Sequence, residues 1–177
     1  DLLAVLASTL QRANARLAAL VEADRTLDGM GTTVCGLALA GDDWAALVNI
    51  GDSRAYLLRD GELRRVSRDH SWVQTLVDEG RITEQEALEH PHRALILKVL
   101  NGKPVHQPDL QALELRAGDR VLVCSDGLCG LVTDAAIAAE AGAPDRAEAI
   151  AALVRLAHEA GGYDNITLVL ADVVEGE

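Results

Sequence analysis

Phenylalanine is absent from this 177-residue sequence, and two tryptophans and two tyrosines are its whole aromatic complement, 2% of the chain. A core organised around stacked rings is thereby excluded. With 49% hydrophobic residues, the length supports one substantial core of Leu, Val, Ile and Ala, and a single domain over residues 1–177 is the simplest expectation. Basic residues are also in deficit: 16 Lys and Arg face 28 Asp and Glu, a formal net charge of -12. No basic stripe exists that would neutralise a nucleic-acid backbone, so nucleic acid is not expected as a partner. Cys35, Cys124 and Cys129 are an odd set without repeating ligand spacing, which argues against a disulfide framework and against zinc. A reducing, cytosolic setting is expected. No uncharged apolar run approaches the roughly 18 residues needed to cross a bilayer, and no basic-then-apolar signal segment opens the chain. Membrane insertion by this chain is therefore not expected, although a parent protein can be tethered through residues outside it.

What is present is well patterned. Leu3, Leu6, Leu10, Ala13, Leu17 and Leu20 recur at helical spacing and predict a long amphipathic helix. Residues 32–40 and 44–50 turn small, β-branched and apolar on either side of Gly41, Asp42 and Asp43, which predicts a hairpin. Residues 55–58 and 63–66 flank Asp60-Gly61, a strong signal for a second hairpin. Between residues 71 and 89, helical spacing, a stop at Gly80 and a capping box from Thr83 to Glu86 predict two short helices. Apolar patterns resume over 94–100 and 110–115, around Asn101, Gly102 and Pro104. A buried strand is predicted over 120–124, a helix capped by Thr133 and Asp134, another with Pro144 in its first turn reaching His158, and a final strand over 166–173. Runs of antiparallel strands with helices before and after them suggest stacked sheets covered by helices rather than a doubly wound parallel sheet. Gly29, Gly31 and Gly36 do not form a phosphate loop, since no strand precedes them and no Gly-Lys-Ser/Thr follows.

Three aspartates share one setting: Asp52, Asp126 and Asp164 each stand at a strand end beside glycine, where the backbone can bend sharply and approach closely. Carboxylates are hard oxygen donors suited to Mg2+ or Mn2+. Any one of them alone is better explained as a turn residue than as a ligand. The surrounding residues add weight: Gly51-Asp52-Ser53-Arg54, Ser125-Asp126-Gly127-Leu128, Tyr163-Asp164-Asn165-Ile166-Thr167, Met30-Gly31-Thr32-Thr33 and Asp69-His70-Ser71.

In that order these motifs resemble the type 2C metal-dependent protein serine/threonine phosphatases, most closely the bacterial members that oppose Ser/Thr kinases. The resemblance runs from the first helix to the last strand. It implies an α+β fold of two stacked antiparallel β-sheets flanked by helices, a four-layer αββα sandwich, with a small helical flap over about residues 68–93. It also implies metal-dependent hydrolysis of phosphoserine and phosphothreonine in proteins, with phosphorylated proteins, Ser/Thr kinases among them, as partners. Asp126 and Asp164 match ligands of one metal of a two-metal Mn2+ or Mg2+ core, and Asp52 matches a position that holds a third metal together with Asp126. In such a centre two cations about 3.5 to 4 Å apart lower the pKa of a water and neutralise the phosphoryl charge. Asn165 is expected to orient the metal's surroundings, Arg54 to pair with a carboxylate and fix its loop, and Gly127 to permit close approach of backbone.

Two family motifs are not found among these residues: an Asn-Glu-Asp segment with a phosphate-holding Arg, and Asp-Gly-Met-Gly-Gly-His, whose Asp bridges the metals. Asp28-Gly29-Met30-Gly31 follows the long helix and runs into Thr32-Thr33, so it matches the later Met-Gly-Thr-Thr position, and Asp28 is not assigned to a metal. Without the bridging carboxylate, these residues alone are expected to be a weak or inactive catalyst. Ala94 stands where close bacterial members often carry a Ser near the third metal. His70, His90 and His92 are expected to be surface polar residues, Ser53 a turn hydrogen-bonder, and Cys124 buried and inert. The competing expectation is a catalytically impaired, phosphatase-like binding or regulatory module.

Overall fold

The 22-residue helix α1 (Leu2–Ala23) opens the chain in a computed structural model that describes residues 1–41, 43–103 and 106–175. Asp42 and Pro104, both read above as turn residues, lie outside the described residues. There follow β1 (Val34–Leu39), β2 (Trp44–Ile50), β3 (Arg54–Arg59), β4 (Glu62–Arg65), α2 (Trp72–Asp78), α3 (Glu84–Glu89), β5 (Asp109–Glu114), β6 (Arg120–Cys124), α4 (Asp126–Cys129), α5 (Asp134–Ala141), α6 (Arg146–Glu159) and β7 (Leu168–Asp172). The strands form two antiparallel sheets, one in the order β1-β2-β5 and the other in the order β4-β3-β6-β7.

Alternation of side chains along the strands builds the layers. On β2, Val48 and Ile50 point to the outer face and pack with Leu10, Leu6 and Leu17 of α1, whereas Ala45 points inward. On β3 and β6, Leu57 and Val121 meet Ala45, Leu113 and Leu115 between the sheets. Tyr56, Leu122 and Cys124 face the other way, onto Leu128, Ile137, Ala149, Leu153 and Ala157 of the C-terminal helices. The result is helix, sheet, sheet, helix, the four-layer arrangement expected. Alanine does much of the packing that aromatic residues perform in other cores: α6 presents Ala149, Ala152, Leu153 and Ala157 at helical spacing, all buried, and lets the helix lie close on its sheet.

Local chemistry accounts for several boundaries. Asp60 and Gly61 both take positive φ, 52° and 81°, as the β3–β4 turn requires. Thr83 and Glu86 make both halves of a capping box at α3. One expectation is corrected. Pro144 precedes the N-cap Asp145 rather than sitting in the first turn of α6, because the Asp145 side chain accepts from Glu148 N–H and starts the helix itself. The apolar run 94–100 forms no strand of its own, meeting the rest of the chain through single bridges from Ile96 to Ser71 and Leu100 to Thr32. The turn α4 carries no periodic signal, being four residues long.

Candidate metal centre

The hinge between β2 and β3 holds Asp52, which is 9% exposed. Gly51 bends it with φ +114°, and a Cβ at this position would run into the Thr33 side chain, so glycine is demanded twice over. Gly51 N–H donates to His70 Nδ1 at 3.1 Å, and His70 N–H returns to the Gly51 carbonyl at 2.8 Å. Ser53 and Thr33 hydroxyls meet at 2.9 Å. Arg54 then forks onto Asp69, Nε to Oδ1 at 3.0 Å and Nη2 to Oδ2 at 2.8 Å, and reaches Asp134 Oδ1 at 3.4 Å. The Asp52 loop is thus fastened on several sides before any ligand arrives.

Asp126 begins α4, directly after β6, and Asp164 lies in the loop before β7. These two segments are zipped together. Ser125 N–H donates to the Thr167 carbonyl at 2.9 Å, Ser125 Oγ to the Asn165 carbonyl at 3.0 Å, and Thr167 N–H to Ser125 Oγ at 3.1 Å. A Cβ on Gly127 would overlap the Asn165 carbonyl oxygen and sit 2.9 Å from its carbon, which explains the glycine after Asp126. Asn165 takes part through its backbone, its N–H donating to Asp164 Oδ1 at 2.7 Å.

All three aspartates line one cleft of about 170 Å³, together with Arg54, Asp69 and Ser71 below and Glu84, Ala87, Leu88, Arg93, Ala94 and Tyr163 at its walls. Burial first, then the Asp126 carboxylate, pushes the Asp52 carboxyl up to about 6. Burial and then the Asp164 carboxylate raise Asp126 in turn. The three groups therefore form a chain of mutual repulsion from Asp52 through Asp126 to Asp164, while Arg54 is engaged by Asp69 and Asp134. A divalent cation among these oxygens would relieve that repulsion, so the donor type and charge fit Mg2+ or Mn2+. Among the described residues, no group of three or more His, Cys, Asp or Glu closes around a single ion.

The histidines divide. His92 is exposed, as expected, and His90 is half-buried, with their ring centroids 5.6 Å apart. His70 is 2% exposed and corrects the expectation of a surface residue. Its polar neighbours Asp69 and Ser71 are buried with it, because the segment after β4 folds under the Asp52 hinge. Its Nδ1 accepts from Gly51, so the neutral ring carries its proton on Nε2, 3.1 Å from Asp109 Oδ2 and poorly aligned for a hydrogen bond. Burial holds its pKa below the usual value despite the nearby Asp109 carboxylate. Cys124 and Cys129 are buried free thiols packed in the helix-side core. Asp69, His70, Arg93 and Tyr163 are thus cleft or hinge residues that were not selected from the sequence. For Asp69 and His70 the signal was their position in the Asp-His-Ser motif, whereas Tyr163 was visible only as the neighbour of Asp164.

A family profile described as Protein phosphatase 2C matches residues 1–168. The serine/threonine protein phosphatase PstP of Mycobacterium tuberculosis is 50% identical over 175 residues, covering 99% of this chain and 34% of that protein. The chain spans about a third of that relative's length. A crystal structure of the Mycobacterium tuberculosis phosphatase PstP/Ppp superposes with a TM-score of 0.92 at 49% identity, over 99% of this chain and 74% of that one. The catalytic domain of PstP in complex with two manganese ions superposes with a TM-score of 0.90 at 48% identity, over 99% of this chain and 73% of that one.

Proposed function

The chain belongs to the protein phosphatase 2C family, and from that premise we propose that it forms part of an enzyme that hydrolyses phosphoserine and phosphothreonine in proteins with Mn2+ or Mg2+, opposing Ser/Thr kinases. The observation that carries this reading is the row of three carboxylates on one cleft, two of them with raised pKa, where the Arg54 guanidinium, engaged by Asp69 and Asp134, offsets only part of the repulsion at Asp52. Asp126 and Asp164 would hold one cation of a two-cation core, and Asp52 would join Asp126 in holding a third. The bound ions supply a water of lowered pKa and neutralise the phosphoryl charge. The chain's own part is positioning. Arg54 locks the Asp52 hinge through Asp69, Gly127 and Ser125 hold the Asp126 turn against the Asn165 backbone, and the helical unit over about residues 68–93 walls the groove. Phosphorylated proteins, kinases among them, are the substrates this groove would take.

These residues supply one side of such a centre. Manganese in the PstP complex supports the metal, and the phosphatases named above favour the enzyme over an impaired binding module. No helix among the described residues is long and apolar enough to cross a membrane. The test is hydrolysis of a phosphothreonine peptide by the full-length chain. Turnover is expected with Mn2+ or Mg2+ and is expected to be lost with chelator and in Asp126→Asn. Turnover that survives chelation would overturn the metal mechanism.

A further inference from the structure

Gly51, the residue of greatest conformational freedom in the Asp52 hinge, has both of its peptide groups held by one residue, His70. Gly51 N–H donates to His70 Nδ1 at 3.1 Å, and the Gly51 carbonyl accepts from His70 N–H at 2.8 Å. The first bond orients the peptide plane before the Gly51 Cα and the second the plane after it. The φ of +114° and the direction in which the chain enters Asp52 are therefore set together. His70 is itself anchored, its carbonyl accepting from Leu97 N–H at 2.7 Å. On the far side of Asp52, Asp69 takes the Arg54 guanidinium, so two consecutive residues grip the chain before and after the carboxylate.

The imidazole is a costly choice for this place. Its side chain is 1% exposed, and Nε2 finds no aligned acceptor among the described residues, a loss that burial makes destabilising. A leucine would fill similar space without that cost. What a leucine lacks is an acceptor for Gly51 N–H, which would then be a buried donor without a partner. Resting on the phosphatase reading, we propose that His70 is a positioning residue for the cation site at Asp52: by accepting from Gly51 N–H it fixes the direction in which the Asp52 carboxylate is presented to a divalent cation.

The test uses the full-length chain and the variants His70→Asn, His70→Gln and Asp52→Asn. An Asn Oδ1 stands where Nδ1 does and can accept from Gly51, whereas a Gln Oε1 lies one bond further out. Mn2+ binding is read from the electron paramagnetic resonance signal of free Mn2+, at a temperature where circular dichroism shows each variant folded. Turnover of p-nitrophenyl phosphate with Mn2+ is measured in parallel. Asp52→Asn marks the ions whose binding depends on Asp52. For those ions His70→Gln is expected to lower affinity about tenfold, and His70→Asn to stay within about twofold of the wild type. A Gln variant that binds Mn2+ as the wild type does, an Asn variant weakened as much as tenfold, or binding untouched by Asp52→Asn overturns the proposal. Absence of p-nitrophenyl phosphate turnover in the wild type would count against the phosphatase reading, while the Mn2+ titrations still decide the role of His70.

Discussion

Removing the Arg54 guanidinium as Arg54→Met tests whether the Asp52 hinge rests on one buried ion pair. Arg54 and Asp69 side chains are 11% and 7% exposed, and the guanidinium forks onto both carboxylate oxygens. The variant keeps an unbranched side chain of comparable reach but strands Asp69 as a buried charge without its partner. Breaking such a pair from one side costs about 3–5 kcal/mol. For a domain of this size that corresponds to a fall in melting temperature of roughly 6–20 °C. Asp134, 46% exposed at its side chain, contributes little, because water replaces its weaker contact. Asp69→Leu should also be costly, since it leaves the buried Arg54 with only its weaker contact to Asp134. The double variant removes both charges and should be more stable than the sum of the two single losses predicts, by at least about 1 kcal/mol. Calorimetric melts of the wild type, both singles and the double variant give the answer. If Arg54→Met lowers stability by less than about 1 kcal/mol, or the two losses simply add, the pair is not the strut described here.

The Gly127→Ala variant should lose about 1–3 kcal/mol, because the new methyl meets the backbone of Asn165, with Ile166 Cα 3.3 Å away, and no rotamer can relieve it. An unchanged melting temperature would show that the two loops are not zipped as described. Asp119 lies between the Arg59 fork, at 2.7 Å to each oxygen, and the Arg116 N–H at 2.8 Å. The Arg59 guanidinium, opposed by some burial, holds its carboxyl below the ordinary value of 3.8. A depressed folded-state pKa means stability that is present above about 3.8 and is lost as pH falls through the lower folded value. Asp119→Asn should therefore melt earlier than the wild type at pH 7, with the gap narrowing in acid, and a gap that is constant down to pH 2 would refute the linkage.

Much of the fold follows from short-range chemistry that a sequence displays. Leucine spacing marks α1, the Asp60-Gly61 pair marks a turn that needs two positive φ values, and Thr83 with Glu86 marks the start of α3. Each of these depends on residues within one or two turns of one another. The strand order did not follow in the same way, since β5 joins β2 some 60 residues away and only packing of both faces selects that neighbour. The turn α4 escaped notice because four residues are too few to display a period. His70 was misjudged because its immediate neighbours are polar, and its burial depends on a hinge contributed by Gly51.

The three aspartates were legible as candidates because glycine and strand ends surround each of them. What the sequence by itself determined was their identity, the local bends that carry them and the family their motifs resemble. That they face one cleft, that burial and a neighbouring carboxylate raise the pKa of Asp52 and of Asp126, and that Arg54 is already engaged was decided by tertiary structure alone. The reason is physical: Asp52 and Asp126 are joined through two different sheet strands, Asp126 and Asp164 through the Ser125 to Thr167 hydrogen bonds, and Arg54 through a carboxylate that arrives from beyond β4. Electrostatic interaction depends on distance in space, and these distances are set when the sheets and helices pack.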